Sequence, residues 1–117
     1  NITLSYSERY RKSMLFFCVQ SFDVSSVLLK EIKAEYPNLW LKVQEFQKNV
    51  FQNLLSYYEI GIEIGVFSNE VNPFLLSLSD QQFFESLSQK TVFKDENLDV
   101  VSVFNHHYNV RFNGILK

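Results

Sequence analysis

The sequence is poor in the residues that usually break helices and form turns. It contains only 3 Gly and 2 Pro in 117 residues, well below their usual share. Because strand-rich folds need a turn between short strands, this scarcity favours long helices. The length fits a single domain over residues 1–117, and a chain of this size can bury roughly two-thirds of its unfolded surface.

Other absences narrow the class of protein. One cysteine, Cys18, cannot form an internal disulfide, and this usage fits a reducing, cytoplasmic location. The longest apolar run, Met14–Val19, is far too short to cross a bilayer, and no small-residue cleavage site follows it. We therefore expect neither a membrane span nor a signal peptide. The net charge is −2 and the basic residues are scattered, so this segment alone is not expected to hold DNA.

Patterns that would carry catalysis, a cofactor or a metal are also missing. No glycine-rich phosphate loop, Ser-His-Asp order or Cys-x-x-Cys pair occurs. The adjacent His106 and His107 would point about 100° apart on a helix, so they cannot readily share a metal ion. Glu59 and Glu63 fall on a polar helix face, and Cys18 falls in an apolar helix where an inert thiol is expected. We expect no enzyme, no cofactor and no metal site.

Aromatic residues are the abundant feature, with 12 Phe, 6 Tyr and 1 Trp. Bulky flat side chains can line a roomy apolar cavity, but they can equally fill a solid core. Composition alone leaves both readings open, so their placement along the chain carries the information.

Apolar periodicity and capping residues predict five helices. The first is expected over about Leu4–Gln20, and the second starts at Asp23 or Ser25 and ends before Pro37. The third follows Pro37, with Asn38 as a cap, and has an apolar stripe opposite a polar one. The apolar stripe consists of Trp40, Val43, Phe46, Val50, Leu54, Tyr57, Gly61 and Ile64.

Glycine and proline mark the boundary between the third and fourth helices. Gly65 stands where the apolar stripe ends, a position at which a left-handed C-cap favours glycine. Asn72 is the expected N-cap of a fourth helix over roughly Pro73–Lys90, with proline at the first helical position. A polar connection, Gln89–Glu96, then leads to a fifth helix over roughly Leu98–Lys117.

The segment that ends the third helix resembles a recurrent feature of one protein family. It reads Gly61-Ile62-Glu63-Ile64-Gly65-Val66-Phe67, and the turn Asn69-Glu70-Val71-Asn72-Pro73 follows. This is similar to the Gly-Ile/Val-x-x-Gly-x-Phe pattern that often ends a core helix in TetR/AcrR-type transcriptional regulators, and His106–Ile115 resembles the family's last helices. In physical terms, Gly61 would let a neighbouring backbone approach, Gly65 would close the helix, and Phe67 would anchor the turn to the core.

The resemblance implies an all-α, five-helix domain, the ligand-binding and dimerisation half of such a regulator. In the family a helix-turn-helix head precedes this half, so DNA binding would belong to a segment before Asn1. The start at Asn1 rather than Met indicates a fragment or a processed product. The last two helices would pair with those of a second copy in a homodimer, as a four-helix bundle. The expected interface residues are Phe83, Phe84, Phe104, His107, Tyr108, Arg111 and Phe112.

The first three helices are expected to enclose a pocket for a small, mostly apolar ligand. In the family, ligand binding shifts the helix that connects to the DNA-reading head, so the first helix is the candidate connecting element. A solid core is an equally open reading. The expected pocket wall is Met14, Phe17, Cys18, Phe51, Leu54 and Tyr58, with Asn53 and Tyr58 as polar handles.

An alternative from another class is a free-standing helical interaction or scaffold domain that buries its last helices against a different protein. An identical-chain dimer with an internal cavity would favour the regulator, and a monomer with an exposed apolar groove would favour the scaffold. A cofactor-independent enzyme would need a pocket lined by titratable groups with shifted pKa values, and the predicted stripes offer almost none.

Overall fold

A computed structural model describes residues 2–23, 26–87 and 90–116. Over these residues the chain is all-α, which confirms the predicted fold class. Apart from one antiparallel bridge between Phe67 and Leu116, the described part contains no extended pairing. None of the described helices combines the length and apolar character that crossing a bilayer requires. The helices are α1 (Ile2–Asp23), α2 (Ser26–Glu35), α3 (Pro37–Glu63), α4 (Pro73–Ser86), α5 (Lys90–Asp95) and α6 (Val100–Ile115).

The short helix α5 was not predicted. It occupies much of the segment Gln89–Glu96, for which a polar connection was expected, so that expectation is wrong over Lys90–Asp95; Gln89 itself lies outside the described residues. The segment contains Phe93, which is partly buried against the core, and tertiary packing of this kind can support a helix of only six residues. Asn97, whose φ is 57°, follows α5 in the left-handed region that asparagine tolerates.

The predicted start of the second helix is corrected in the same way. Helix α1 continues through Asp23, so Asp23 is not a cap that precedes α2, and Ser25 lies outside the described residues. Asn38 is not a cap either, because α3 already begins at Pro37. Proline suits that first position since its φ is fixed near the helical value and its missing N–H would have no partner there.

The boundary between α3 and α4 follows the predicted signals. Gly65 has a φ of 82°, the left-handed conformation expected after a helix end. The Asn72 side chain accepts a hydrogen bond from the Leu75 N–H at 3.1 Å, and Pro73 is the first residue of α4. These observations confirm Gly65 as the closing residue and Asn72 as the N-cap. Phe67, with 1% of its surface exposed, anchors the turn in the core as expected.

Gly61 is small for a different reason from the expected one. A Cβ added there would lie 2.3 Å from the ring atom Cδ2 of Phe67 and 2.9 Å from Cε1 of Tyr6. The atoms that come nearest to this position therefore belong to aromatic side chains, and not to the neighbouring backbone that was expected to need the space. The turn folds Phe67 back onto the helix it has just left, which places its ring directly over Gly61.

The core joins the two ends of the chain. Helix α1 packs against α6, while α3 packs against α2 and α4. The rings of Tyr6 and Tyr57 stack with centroids 4.5 Å apart, and each hydroxyl donates a hydrogen bond to the other residue's backbone carbonyl. The Ser68 N–H donates to the Ile115 carbonyl at 2.8 Å, which ties the end of α6 to the α3–α4 turn. Aromatic side chains therefore fill the region where α1, the end of α3 and the end of α6 meet.

Candidate functional site

The apolar stripe of α3 is covered over only part of its length. Leu54, Tyr57 and Gly61 are buried against the core. Towards the start of the helix the burial decreases: Val50 is half-buried, and Phe46 has 59% of its surface exposed. Because exposing a large aromatic residue on an apolar stripe forfeits its burial energy, the uncovered half of α3 is the first candidate for a binding surface.

A groove of about 1120 Å³ lies over this half of α3. Helix α1 contributes Met14 and Phe17 to its wall, and α2, α3 and α4 supply the other sides. This volume is slightly larger than the usual range for ligand pockets, about 300–1,000 Å³. The residues that line it, called the groove below, are Ser13, Met14, Phe16, Phe17, Gln20, Leu28, Leu29, Ile32, Val43, Gln44, Phe46, Gln47, Lys48, Val50, Phe51, Gln52, Leu55, Phe74, Ser77, Gln81, Phe84 and Glu85.

The polar lining of the groove is mostly uncharged. It consists of serine hydroxyls and glutamine amides, and Lys48 and Glu85 are the only charged side chains among the described lining residues. The Gln81 amide donates to the Glu85 carboxylate at 3.5 Å on the α4 side. Amides can both donate and accept hydrogen bonds, so the groove suits an apolar molecule with neutral polar groups better than an ion.

The structure separates the residues that were predicted to form the pocket wall. Met14, Phe17 and Phe51 line the groove. Cys18 and Tyr58 have none of their surface exposed and Leu54 only 2%, so these three belong to the core beneath it. The remaining predicted residue, Asn53, lies exposed on α3 outside the groove lining. As a polar handle Tyr58 is already occupied, because its hydroxyl donates to the Asp80 carboxylate.

A buried polar cluster lies beside the groove and joins four helices. Its centre is Asp80 on α4, which has no exposed surface. The Asp80 Oδ2 atom accepts the hydrogen bond from Tyr58 of α3. The Oδ1 atom lies 3.0 Å from Arg111 Nη2 and 3.2 Å from His107 Nε2, both on α6. The hydroxyl of Tyr10, on α1, lies 2.9 Å from the same Nε2 atom. These five residues are called the Asp80 cluster.

The Nε2 atom of His107 has two polar neighbours. It lies 2.9 Å from the Tyr10 hydroxyl and 3.2 Å from Asp80 Oδ1, and a single ring nitrogen can donate to the carboxylate or accept from the hydroxyl, but not both at once. The ring of Phe83 stacks on the imidazole with centroids 4.0 Å apart and an angle of 6° between the planes. Since a stacked neighbour and two polar partners hold the ring, His107 is a positioned group and not a freely rotating one.

Burial keeps the hydroxyl and thiol groups around Asp80 protonated. It raises the pKa of Tyr58 far above its usual range, and the negative charge of Asp80 adds to the shift. Burial likewise raises the pKa of Tyr10 well above its ordinary value, with further contributions from Tyr58 and Asp80. Burial raises the pKa of the Cys18 thiol to about 12, and Asp80 again adds to it. A thiol that stays protonated is a poor nucleophile, so Cys18 is not a reactive site.

The predicted dimer-interface residues also divide into two groups. Phe84, Phe104 and Phe112 have between 0% and 6% of their surface exposed within a single chain. They fill the core and have little surface left for a second copy. The others, Phe83, His107, Tyr108 and Arg111, are half-buried.

Asp80 was missed in the sequence although a signal was present. It stands in the apolar spacing of α4, one turn before Phe84 and one turn after Leu76. Arg111 stands in the same way in the stripe of α6, between His107 and Ile115. A single charge inside an apolar stripe must be paired when it is buried. The ion pair between Asp80 and Arg111 could therefore have been predicted from the sequence. Within the described part of the chain, no group of three or more His, Cys, Asp or Glu side chains is arranged to hold a metal ion.

Comparison with protein families, with curated proteins and with solved structures found no match to this chain.

Proposed function

We propose that this chain is the effector-binding domain of a TetR-like transcriptional regulator, and that it takes a small, mostly apolar ligand into the groove. One observation carries the ligand-binding part. Aromatic and aliphatic side chains from α1, α2, α3 and α4 surround about 1120 Å³ of unfilled space, with neutral amides as the main polar groups. Apolar residues that are exposed together on one surface often mark a ligand-binding groove.

The lining indicates the class of ligand. Phe17, Phe51 and Phe84 offer flat apolar walls, and aromatic walls favour rings and long aliphatic chains alike. The glutamine amides of Gln47 and Gln81 can each bind one neutral polar group. A ligand with a strongly charged head would have to be desolvated among a lining whose only charged side chains, of the described residues, are Lys48 and Glu85, which is unfavourable for most of the groove.

The regulatory part of the proposal rests on α1 and on the resemblance of the α3–α4 turn to the TetR/AcrR pattern. Helix α1 touches the groove through Met14 and Phe17 and touches the Asp80 cluster through Tyr10. A ligand that moves the second half of α1 would therefore also strain the contact between Tyr10 and the Asp80 cluster. In the TetR-like reading, that movement reaches a DNA-binding head before Asn1. Reading the coding frame upstream of Asn1 tests this part: roughly 50–80 residues with a helix-turn-helix pattern, enough for a compact reader, support it, and a frame that starts at Asn1 contradicts it.

A neutral fluorophore tests the ligand-binding part directly. We expect phenylnaphthylamine to bind with increased fluorescence and to be displaced by neutral apolar ligands. The variant Phe46→Lys, at a residue of the groove lining that is 59% exposed, should weaken binding at least about tenfold, because the ammonium would have to be desolvated beside an apolar ligand. The matched control is Leu41→Lys, at a residue of the same helix that is 61% exposed and outside the groove.

The outcomes separate cleanly. Loss of binding in Phe46→Lys but not in Leu41→Lys supports the groove as the site. Equal binding by both variants and the unmodified protein places the fluorophore elsewhere and overturns the proposal. Absence of any saturable binding overturns it as well.

A free-standing interaction domain is the second candidate, and a specific observation favours it. The rim of the groove exposes Phe16 at 68%, Phe74 at 59% and Leu28 at 46%, which is the arrangement that an amphipathic helix can cover. A designed amphipathic leucine–lysine helix that displaces the fluorophore, when small apolar ligands do not, would favour this reading.

Homodimerisation through α4 and α6 stays a prediction. With Phe84, Phe104 and Phe112 buried in one chain, it rests on Phe83, His107, Tyr108 and Arg111. Light scattering of the purified chain over a concentration series tests it, and a monomer at every concentration contradicts it.

A further inference from the structure

A second space lies on the other side of α4 from the groove. It has a volume of about 380 Å³, is formed by α4, α5, α6 and the α5–α6 connection, and shares no lining residue with the groove. This volume falls within the usual range for small-ligand sites, about 300–1,000 Å³. The space, called the cleft below, includes Ser79, Phe83, Phe93, His107, Val110 and Arg111 in its lining.

The cleft differs from the groove in having a fixed cation in its wall. The side chains of Arg111 and His107 are each 11% exposed, while Asp80 behind them has no exposed surface. Asp80 thus holds the guanidinium from the buried side, and a guanidinium has five N–H donors, more than one carboxylate can accept. Because Arg111 is already oriented, a ligand that binds it loses little side-chain entropy.

The rest of the cleft is apolar and partly flat. The Phe83 ring lies in the wall, stacked on the His107 imidazole at 4.0 Å, and Phe93 of α5 lines the cleft with it. Val110, with 63% of its surface exposed, also lines it. Aromatic walls next to a planar cation suit a flat ring that carries an anionic group at one edge.

We propose that the cleft binds a small aromatic carboxylate, with its carboxylate hydrogen-bonded to Arg111 and its ring packed against Phe83 and Phe93. A planar carboxylate matches the planar fork of a guanidinium. One arginine whose charge is shared with Asp80 fits a singly charged group better than a doubly charged phosphate. The apolar walls require that most of the ligand be hydrocarbon. This proposal for the cleft does not depend on whether the groove binds a ligand.

Naphthoate and its neutral analogue naphthamide are the probes that test this site. We expect naphthoate to shift the backbone amide resonances of residues around the cleft and to bind at least about tenfold more tightly than naphthamide, because a hydrogen bond to a charged group is stronger than one to a neutral group. Removal of Arg111 would leave Asp80 buried without its cation and disturb the fold, so it is unsuitable as a test.

Filling the cleft is the cleaner perturbation. Val110→Trp places a large ring in the cleft from an exposed position, and it should abolish the naphthoate shifts. The matched control is Val101→Trp, since Val101 lies on the same helix, is 44% exposed and does not line the cleft. The control should bind naphthoate as the unmodified protein does.

Four results would overturn the proposal. The first is equal binding of naphthoate and naphthamide, which would remove the role of Arg111. The second is a set of shifts that fall on groove residues such as Phe46. Inorganic phosphate alone could produce the same shifts, which would make the site a simple anion site. Finally, the chain could be a dimer that Val110→Trp converts to a monomer, in which case a second copy covers the cleft.

Discussion

Replacing Asp80 with asparagine should strongly destabilise the protein. The substitution keeps the size of the side chain but removes the one carboxylate that pairs with Arg111 among the described residues, at 3.0 Å. The guanidinium, with its side chain 11% exposed, would then be buried without a counter-charge. Breaking one partner of a buried ion pair in this way costs about 3–5 kcal/mol, a large share of a total that is typically about 5–15 kcal/mol.

Two further variants separate the charge from the hydrogen bonds. Tyr58→Phe removes one hydrogen bond to the Asp80 carboxylate and leaves the ion pair intact, so we expect about 1.5–3 kcal/mol. The double variant Asp80→Asn with Arg111→Met removes both charges. Because a buried pair replaced as a whole can be nearly neutral, the double variant should cost less than the sum of the two single changes.

Urea unfolding followed by far-ultraviolet circular dichroism measures these differences. The matched control is Glu59→Gln, an acidic residue on the exposed side of α3, which should change the free energy of unfolding by no more than about 0.5 kcal/mol. The reasoning is refuted if Asp80→Asn costs less than Tyr58→Phe. It is also refuted if the single and double variants are additive within about 0.5 kcal/mol, since contacting residues in one network should couple by more than that.

Three other measurements follow from the core. Gly61→Ala should lower the urea midpoint, with a loss of about 1–3 kcal/mol from overpacking, whereas Gly114→Ala, where a Cβ would meet nothing within 4 Å, should not; equal effects would contradict the packing argument. Cys18 should react with Ellman's reagent only as fast as the protein opens, so rapid labelling of the native protein would contradict its burial. Tyr10 and Tyr58 have raised pKa values in the folded protein, so their neutral forms contribute their full stabilisation at a pH below the pKa of unfolded tyrosine, about 10. The free energy of unfolding should therefore fall as the pH rises above that value, and a free energy of unfolding that stays constant through this range would contradict it.

Local signals in the sequence were sufficient for the boundary between α3 and α4. Gly65 and Asn72 act through their own backbone and side chain, so a few neighbouring residues determine their role. The short helix α5 was missed because six residues are too few to show periodicity. Gly61 illustrates an intermediate case, in which the need for a small residue was predictable but the neighbour that requires it was not.

The groove was only partly predictable because two different faces of the same helices are apolar. Phe17 lines the groove while its neighbour Cys18 is buried in the core, and consecutive helical positions point about 100° apart. Hydrophobicity cannot distinguish a face that is packed from one that is left open. That distinction depends on where α2 and α4 lie relative to α3, which no local pattern encodes.

The Asp80 cluster depends on contacts between distant parts of the chain. A charge of each sign stands in an apolar stripe, at Asp80 and at Arg111, and this signal is visible in the sequence. The pairing itself requires that α4 and α6 be adjacent, and the separate contribution of Tyr10 requires α1 to lie beside them as well. Such arrangements follow from the overall packing and not from any segment.

The link between Tyr10 and His107 spans 97 positions of the chain, which has a consequence for how the protein folds. Closing so long a segment is entropically unfavourable until the intervening helices are in place. The contact should thus form after the rate-limiting step, so that removing the Tyr10 hydroxyl accelerates unfolding and leaves the refolding rate nearly unchanged. The hydrogen bond between the first helix and the last would then slow the unfolding of the native protein without changing how fast the protein folds.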